Sequence, residues 1–279
     1  MRIINRINEM QQISNEFKLS GKTISFVPTM GALHEGHLGL MKEGRKLANV
    51  LVASIFVNPS QFGHNEDYES YIRDLENDSS MMKSVGVDFA FVPSSADMYP
   101  EGFQTLVAVE ELQKHLCGKF RPGHFNGVST VVLKLFNIVK PDFAIFGYKD
   151  YQQLLIIRKV VEDLNLDIKV VAHEIVREDD GLAMSTRNKY LNESQRQKAN
   201  KIYFALKSMK ELFLNGETNI DIIIKNGKGI LEKSGLDEID YLEILDSISL
   251  KPKDIAGIGD LVAVAARIGS ARLIDNIIL

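Results

Sequence analysis

The chain has 279 residues, 45% hydrophobic and 25% charged, with a formal net charge of −4 and a single cysteine. This composition supports a large buried core, rules out an intrachain disulfide framework, and gives none of the clustered positive charge that a nucleic-acid or anionic-membrane surface needs. With no run of about 18 apolar residues and no signal-peptide core at the N-terminus, the sequence reads as a soluble globular protein of the cytoplasm.

In chain order, Thr23 to Val27 reads as a short buried strand, and Leu38 to Ala48 carries apolar residues at helical spacing. Between them runs Pro28-Thr29-Met30-Gly31-Ala32-Leu33-His34-Glu35-Gly36-His37, which places His37 near a helix N-terminus. Backbone N–H groups and the positive end of the helix dipole favour an anion there, and two imidazoles add hydrogen bonds suited to phosphoryl oxygens. The histidines are three apart and interrupted by Gly36, whereas a helical zinc-protease pair is four apart, so the pair is read for phosphate and not for zinc.

Further strands are expected at Val50 to Val57, Val87 to Val92, Thr105 to Val109, Phe143 to Phe146 and Ile168 to Ile175. Helices are expected at Tyr68 to Val85, Gly127 to Val139 and Tyr151 to Leu164. The alternation predicts an α/β fold, a Rossmann-like parallel sheet with helices on both faces. In such sheets ligands sit beyond the carboxyl ends of the strands, where Thr29 to His37, Asn58 to Gly63 and Gly147 to Asp150 fall. Cys117 is read as a partly buried small apolar side chain, and His64, His115 and His173 stand outside any motif.

The charged, turn-prone Arg177-Glu178-Asp179-Asp180-Gly181 marks the expected boundary between a domain of residues 1–176 and a smaller α+β domain of residues 177–279. In the latter, Asn192 with Gln195 three residues on resembles a capping box before a long helix, and Ile220 to Leu231 reads as another helix. Tyr241 to Leu245, Leu261 to Ala266 and Ala271 to Ile277 read as antiparallel strands.

Five blocks stand in order across roughly the first 190 residues: Val27 to His37, Phe56-Val57-Asn58-Pro59-Ser60-Gln61-Phe62, Arg121-Pro122-Gly123-His124-Phe125, Phe146-Gly147-Tyr148-Lys149-Asp150-Tyr151-Gln152-Gln153, and Met184-Ser185-Thr186-Arg187-Asn188. Together they resemble the pantothenate synthetase family, within the nucleotidyltransferases marked by a His-x-Gly-His loop, here His34 to His37. The resemblance implies ATP-dependent condensation of (R)-pantoate with β-alanine to pantothenate, through a pantoyl adenylate, releasing AMP and pyrophosphate. It also implies Mg2+, a homodimer, and a second domain that closes over the nucleotide.

By the same resemblance, the ATP-binding residues are Met30, Gly31, Ala32, Leu33, His34, Glu35, Gly36 and His37, then Gly147, Tyr148, Lys149 and Asp150, then Val176, Met184, Ser185, Thr186 and Arg187. His34, His37, Lys149 and Arg187 are expected to be catalytic, with His37 as proton donor or transition-state stabiliser. Gln61 and Gln153 are expected to bind pantoate, and Asp78 to lie near the metal. Two positions depart from the family pattern: Tyr148 stands where Glu is common, and Ser60 stands where bulkier residues are common, which would loosen the wall near Gln61. Two other readings stay open on the residues alone. One is a different nucleotidyltransferase that retains AMP in its product, and the other is a nucleotide-binding regulator without catalysis.

Overall fold

The computed structural model describes residues 1–63, 66–236 and 238–279; His64 lies outside the described residues. The chain divides into two compact units, one of Met1–Gln113, Arg121–Tyr148 and Gln152–Glu174, the other of Lys114–Phe120, Lys149–Tyr151 and Ile175–Leu279. The first unit opens with β1 (Arg2–Ile4), α1 (Ile7–Leu19), β2 (Ile24–Thr29), α2 (Glu35–Leu47) and β3 (Val50–Ile55). It continues through α3 (Leu75–Ser84), β4 (Phe89–Phe91) and α4 (Ser95–Met98). After α5 (Leu116–Phe120), which belongs to the second unit, come α6 (His124–Val139), β5 (Phe143–Gly147), α7 (Tyr151–Asp163) and β6 (Lys169–His173).

The six strands pair in parallel in the order β1-β4-β3-β2-β5-β6. From β2 the chain builds outward through β3 to β4, then returns to lay β5 on the other side of β2. The order therefore reverses between β2 and β5, and their carboxyl ends frame the crevice in which open sheets of this kind bind ligands.

Helices cover both faces, and the side-chain alternation shows how. Val27, Leu51, Ala53 and Ile145 pack with Leu38 and Met41 of α2 and Met82 of α3. Phe146, the neighbour of Ile145, points the opposite way and meets Phe136 of α6 at 6.5 Å between ring centroids. On α1, Phe17 meets Phe89 of β4 edge-on at 5.7 Å. Because both faces are covered, the central strands read as near-continuous apolar runs.

Several expected elements differ. Thr105 to Val109 is not a strand: the Val107 N–H donates to Thr130 Oγ1 at 3.0 Å instead of to a ladder, and Leu106 is 66% exposed. The helix expected from Tyr68 starts only at Leu75, where the Asp74 carboxylate caps it by accepting the Asn77 N–H at 3.1 Å. Upstream of that cap, Arg73 ties the carbonyls of Tyr68, Glu69 and Tyr71 into a turn. Neither β1 nor α1 is among the expected elements.

In the second unit, Asn192 and Gln195 form the expected reciprocal capping box. The helix they start is short, however, and breaks at Asn200 into α8 (Glu193–Ala199) and α9 (Lys201–Leu214), followed by α10 (Ile220–Lys233). β7 (Ile239–Leu245), β8 (Leu261–Ile268) and β9 (Ala271–Ile278) form an antiparallel meander whose apolar side packs against these helices.

Candidate active site

The loop from β2 to α2 is built so that its own backbone donors are satisfied. Thr29 Oγ1 donates to the Ser54 carbonyl at 2.6 Å and accepts the Gly31 N–H at 3.2 Å. Gly31 turns the chain with φ +82°, and a Cβ there would lie 2.9 Å from the Asp78 carboxylate, so both conformation and space require glycine. The N–H groups of Ala32 and Leu33 then donate to Asp78 Oδ2 and Oδ1 at 2.8 and 2.7 Å. Asp78, in the first turns of α3, is 1% exposed.

His34 caps α2 with its ring: Nδ1 accepts the Gly36 N–H at 3.2 Å, while His37 Nδ1 accepts the His34 N–H at 3.3 Å. The two rings lie 4.1 Å apart, tilted by 43°. A ring nitrogen that accepts carries no proton, so in both imidazoles the proton sits on Nε2, the edge remote from the backbone. From the sequence, backbone amides are expected to bind the anion. The structure instead commits the amides of residues 31 to 34 and 36 internally, and sets both imidazoles at the helix N-terminus with their protons on Nε2.

Past β3, buried Asn58 organises the Pro59–Gln61 turn. Its Oδ1 accepts from Ser60 N–H and Oγ at 3.3 and 2.9 Å, and its Nδ2 donates to Gln61 Oε1 at 3.0 Å and to the Gly127 carbonyl at 3.1 Å. Gln61 Nε2 in turn reaches Met30 Sδ at 3.2 Å, which brings this glutamine to the histidine loop. The Ser60 hydroxyl also meets Tyr99 OH at 3.1 Å. Gly127 on α6 lets the helix press on the turn, since a Cβ there would lie 2.3 Å from the Ser60 carbonyl oxygen. The Asn-Pro pair is a legible cap-and-first-turn signal, whereas nothing in the sequence marks Gly127.

A charged brace holds the same turn. Arg121 grips Glu66 bidentately at 2.6 and 2.5 Å and donates to His124 Nε2 at 3.0 Å, so His124 carries its proton on Nδ1 and donates it to the Gln61 carbonyl at 2.8 Å. Burial alone would raise the Glu66 pKa, but the hydrogen bond and charge of Arg121, with smaller help from the Gly63 N–H, hold it below the ordinary 4.5. A carboxylate lowered in the folded state stabilises fully above its unfolded pKa, and that contribution is lost as pH falls through the folded value. The urea midpoint of the wild type is therefore expected to exceed that of Glu66→Gln at pH 7, with the gap closing below pH 4.5. A gap that widens in acid contradicts the brace.

The remaining candidates are placed as follows. Gly147 ends β5, Tyr148–Asp150 form a single 3-10 turn, and Gln153 lies half-buried in the first turn of α7. Its neighbour Gln152 is 5% exposed and donates to the Leu112 carbonyl at 2.8 Å. In the second unit, the Met184 N–H donates to the Val176 carbonyl at 3.0 Å, and Arg177 pairs with Ala183, so residues 176–184 form a small hairpin. Ser185 caps the following turn by accepting the Arg187 N–H at 3.2 Å, and Thr186 is 5% exposed. Asn188 closes this segment onto Glu178 Oε1 and the Ala183 carbonyl at 2.7 and 3.1 Å.

The model of the family described as pantoate-beta-alanine ligase matches residues 2–278. The chain belongs to the pantoate-β-alanine ligase family. It is 53% identical over 279 residues to the pantothenate synthetase of Trichlorobacter lovleyi, covering all of this chain and 99% of that one. The crystal structure of pantothenate synthetase from Thermus thermophilus superposes with a TM-score of 0.94 at 43% identity over 99% of both chains. A Francisella tularensis pantoate-beta-alanine ligase, complexed with beta-gamma ATP and β-alanine, gives a TM-score of 0.82 at 34% identity, covering all of this chain and 97% of that one.

Both carboxylate oxygens of Asp78 accept backbone N–H groups of the histidine loop. Among the described residues no cluster of three His, Cys, Asp or Glu side chains is arranged to hold a metal ion, and no helix is long and apolar enough to cross a membrane.

Proposed function

We propose that this ligase condenses pantoate with β-alanine using ATP, through a pantoyl adenylate, in the cytoplasm and as a homodimer. The observation that carries the site assignment is the paired histidines, whose Nδ1 atoms face the backbone and whose protons sit on Nε2. Attack of the pantoate carboxylate on the α-phosphorus of ATP forms the acyl–O–P bond and breaks the bond to pyrophosphate. Attack of the β-alanine amine on the acyl carbon then releases AMP. Phosphoryl transfer of this kind needs alignment and neutralisation of charge on the phosphoryl and leaving oxygens, not covalent help.

His34 and His37 donate from Nε2 to the triphosphate, and Lys149 and Arg187 add fixed positive charge. Ser185 and Thr186 donate hydroxyls, Asp150 orients the ribose, and Gln61 and Gln153 hold pantoate. The main chain of residues 30–37, of Gly147 and Tyr148, and of Val176 and Met184 lines the nucleotide. Mg2+ arrives on the nucleotide, whose phosphate oxygens and waters are its natural ligands, and no step is assigned to a protein-held ion. Asp78 acts on that site by fixing the loop.

Pyrophosphate exchange into ATP is expected to require pantoate, and net AMP release to require β-alanine as well. Exchange without pantoate, or a product that retains AMP, contradicts the reading and favours another nucleotidyltransferase. Gly127→Ala is expected to displace the Pro59–Gln61 turn and raise the KM for pantoate about tenfold with little change in the KM for ATP, read by steady-state kinetics.

A further inference from the structure

The last strand of the second unit carries two buried polar residues that the reaction itself does not use. Asp275 and Asn276, on β9, are 3% and 5% exposed. Asn276 Nδ2 donates to the Lys149 carbonyl at 3.0 Å. Asp275 accepts both arms of the Arg177 guanidinium, at 2.6 and 3.0 Å, and the Asn276 N–H at 2.8 Å.

Arg177 is itself fixed on every side. It donates to the Gly181 carbonyl at 3.0 Å across its own hairpin, and its guanidinium lies 3.8 Å from the centre of the Tyr203 ring on α9. Gly181, at φ +92°, leaves room for that ring, because a Cβ there would come within 2.3 Å of it. The 176–184 hairpin is thus locked to β9 through one arginine, and the Lys149 turn through one amide. These are the two stretches of the second unit that the proposed function assigns to the nucleotide, and adjacent residues of one strand hold both.

A buried ion pair and a buried side-chain amide are costly to place in an apolar core, and a β-branched residue would pack more simply at either position. Asn276 Nδ2 reaches a main-chain carbonyl 127 residues away, and the Asp275 carboxylate a hairpin arginine 98 residues away. We propose that Asp275 and Asn276 are positioning residues for adenylation, setting the Lys149 turn and the Val176–Arg187 segment in register with each other; this rests on the nucleotide assignment made above. Asn276 acts through Lys149, and Asp275 acts through Arg177.

The test uses the full chain and pantoate-dependent pyrophosphate exchange, with rates referred to the folded fraction measured by circular dichroism. Asn276→Ala and the similarly sized Asn276→Leu, neither of which donates, are each expected to lower the exchange kcat about tenfold while the KM for pantoate stays within about twofold. Because Asn276 acts through Lys149, the same substitutions in a Lys149→Ala background are expected to cause no further fall. Asp275→Asn, which leaves Arg177 a neutral partner, is expected to raise the KM for ATP about fivefold without moving that for pantoate. Unchanged kcat in both Asn276 variants, a full tenfold loss in the Lys149→Ala background, or wild-type kinetics for Lys149→Ala overturns the proposal while the ligase reading stands. A wild-type enzyme silent in exchange contradicts that reading itself.

Discussion

Replacing His37 by alanine is expected to lower the rate of adenylate formation by about 10² to 10³, the loss of one preorganised donor to a developing phosphoryl charge. The physical reason lies in how the ring is held. His37 Nδ1 accepts the His34 N–H at 3.3 Å, so its proton is fixed on Nε2 and no reorganisation is needed when the triphosphate arrives. Alanine removes that donor and leaves the His34 amide without its ring partner.

His37→Asn separates the two losses. An asparagine amide offers an oxygen to the His34 N–H and an NH2 group toward the phosphate, and is expected to retain more activity than alanine, within about tenfold of wild type. Single-turnover measurement of adenylate formation checks both. Near-normal adenylation by His37→Ala would show that the ring is a helix cap only.

The second large effect is expected from Asp78→Ala, at a residue assigned no contact with substrate. Its carboxylate accepts the Ala32 and Leu33 amides in a site 1% exposed, so removing it strands two buried N–H groups. At about 1–3 kcal/mol for each unsatisfied donor, the loss is about 3 kcal/mol of stability, and the histidine loop loses the anchor that sets Gly31 and Ala32 in the left-handed region. Chemical denaturation should show the destabilisation, and adenylation should fall at least tenfold even where the variant is folded. If the variant keeps wild-type stability and loses only its magnesium dependence, Asp78 is a metal ligand and the loop is held otherwise.

Much of this architecture is legible in the chain because local and tertiary signals agree. β2 is a mostly buried, strand-prone stretch, and the histidine loop leads into α2 near where the helical spacing begins. The capping box at Asn192 and the antiparallel strands after it are equally local features. Thr105 to Val109 shows the limit: its alternation is that of a strand, but a strand exists only where a partner ladder does, and Thr130 takes the Val107 amide. The three-residue β1 is too short to carry a period.

The site divides in the same way. Residue types and order point to phosphate and to a small acid, but the bonds that aim them span the chain. Asp78 reaches an amide 46 residues away, Arg121 a carboxylate 55 away, and Asn276 a carbonyl 127 away. Asp78 in the sequence is only an acid on an amphipathic helix, and the choice of Nδ1 over Nε2 in each ring is visible only once the backbone is folded around it.

The central claim is that the loop holds ATP for attack by a carboxylate on the α-phosphorus, and isotope transfer tests it most directly. Pantoate labelled with 18O in its carboxylate is turned over with ATP and β-alanine, and the AMP and pyrophosphate are analysed by mass spectrometry. One 18O atom is expected in the phosphate of AMP and none in pyrophosphate, because the bridging oxygen of the pantoyl adenylate leaves with AMP when the amine attacks. AMP free of label, with 18O appearing instead in pyrophosphate or inorganic phosphate, would contradict it.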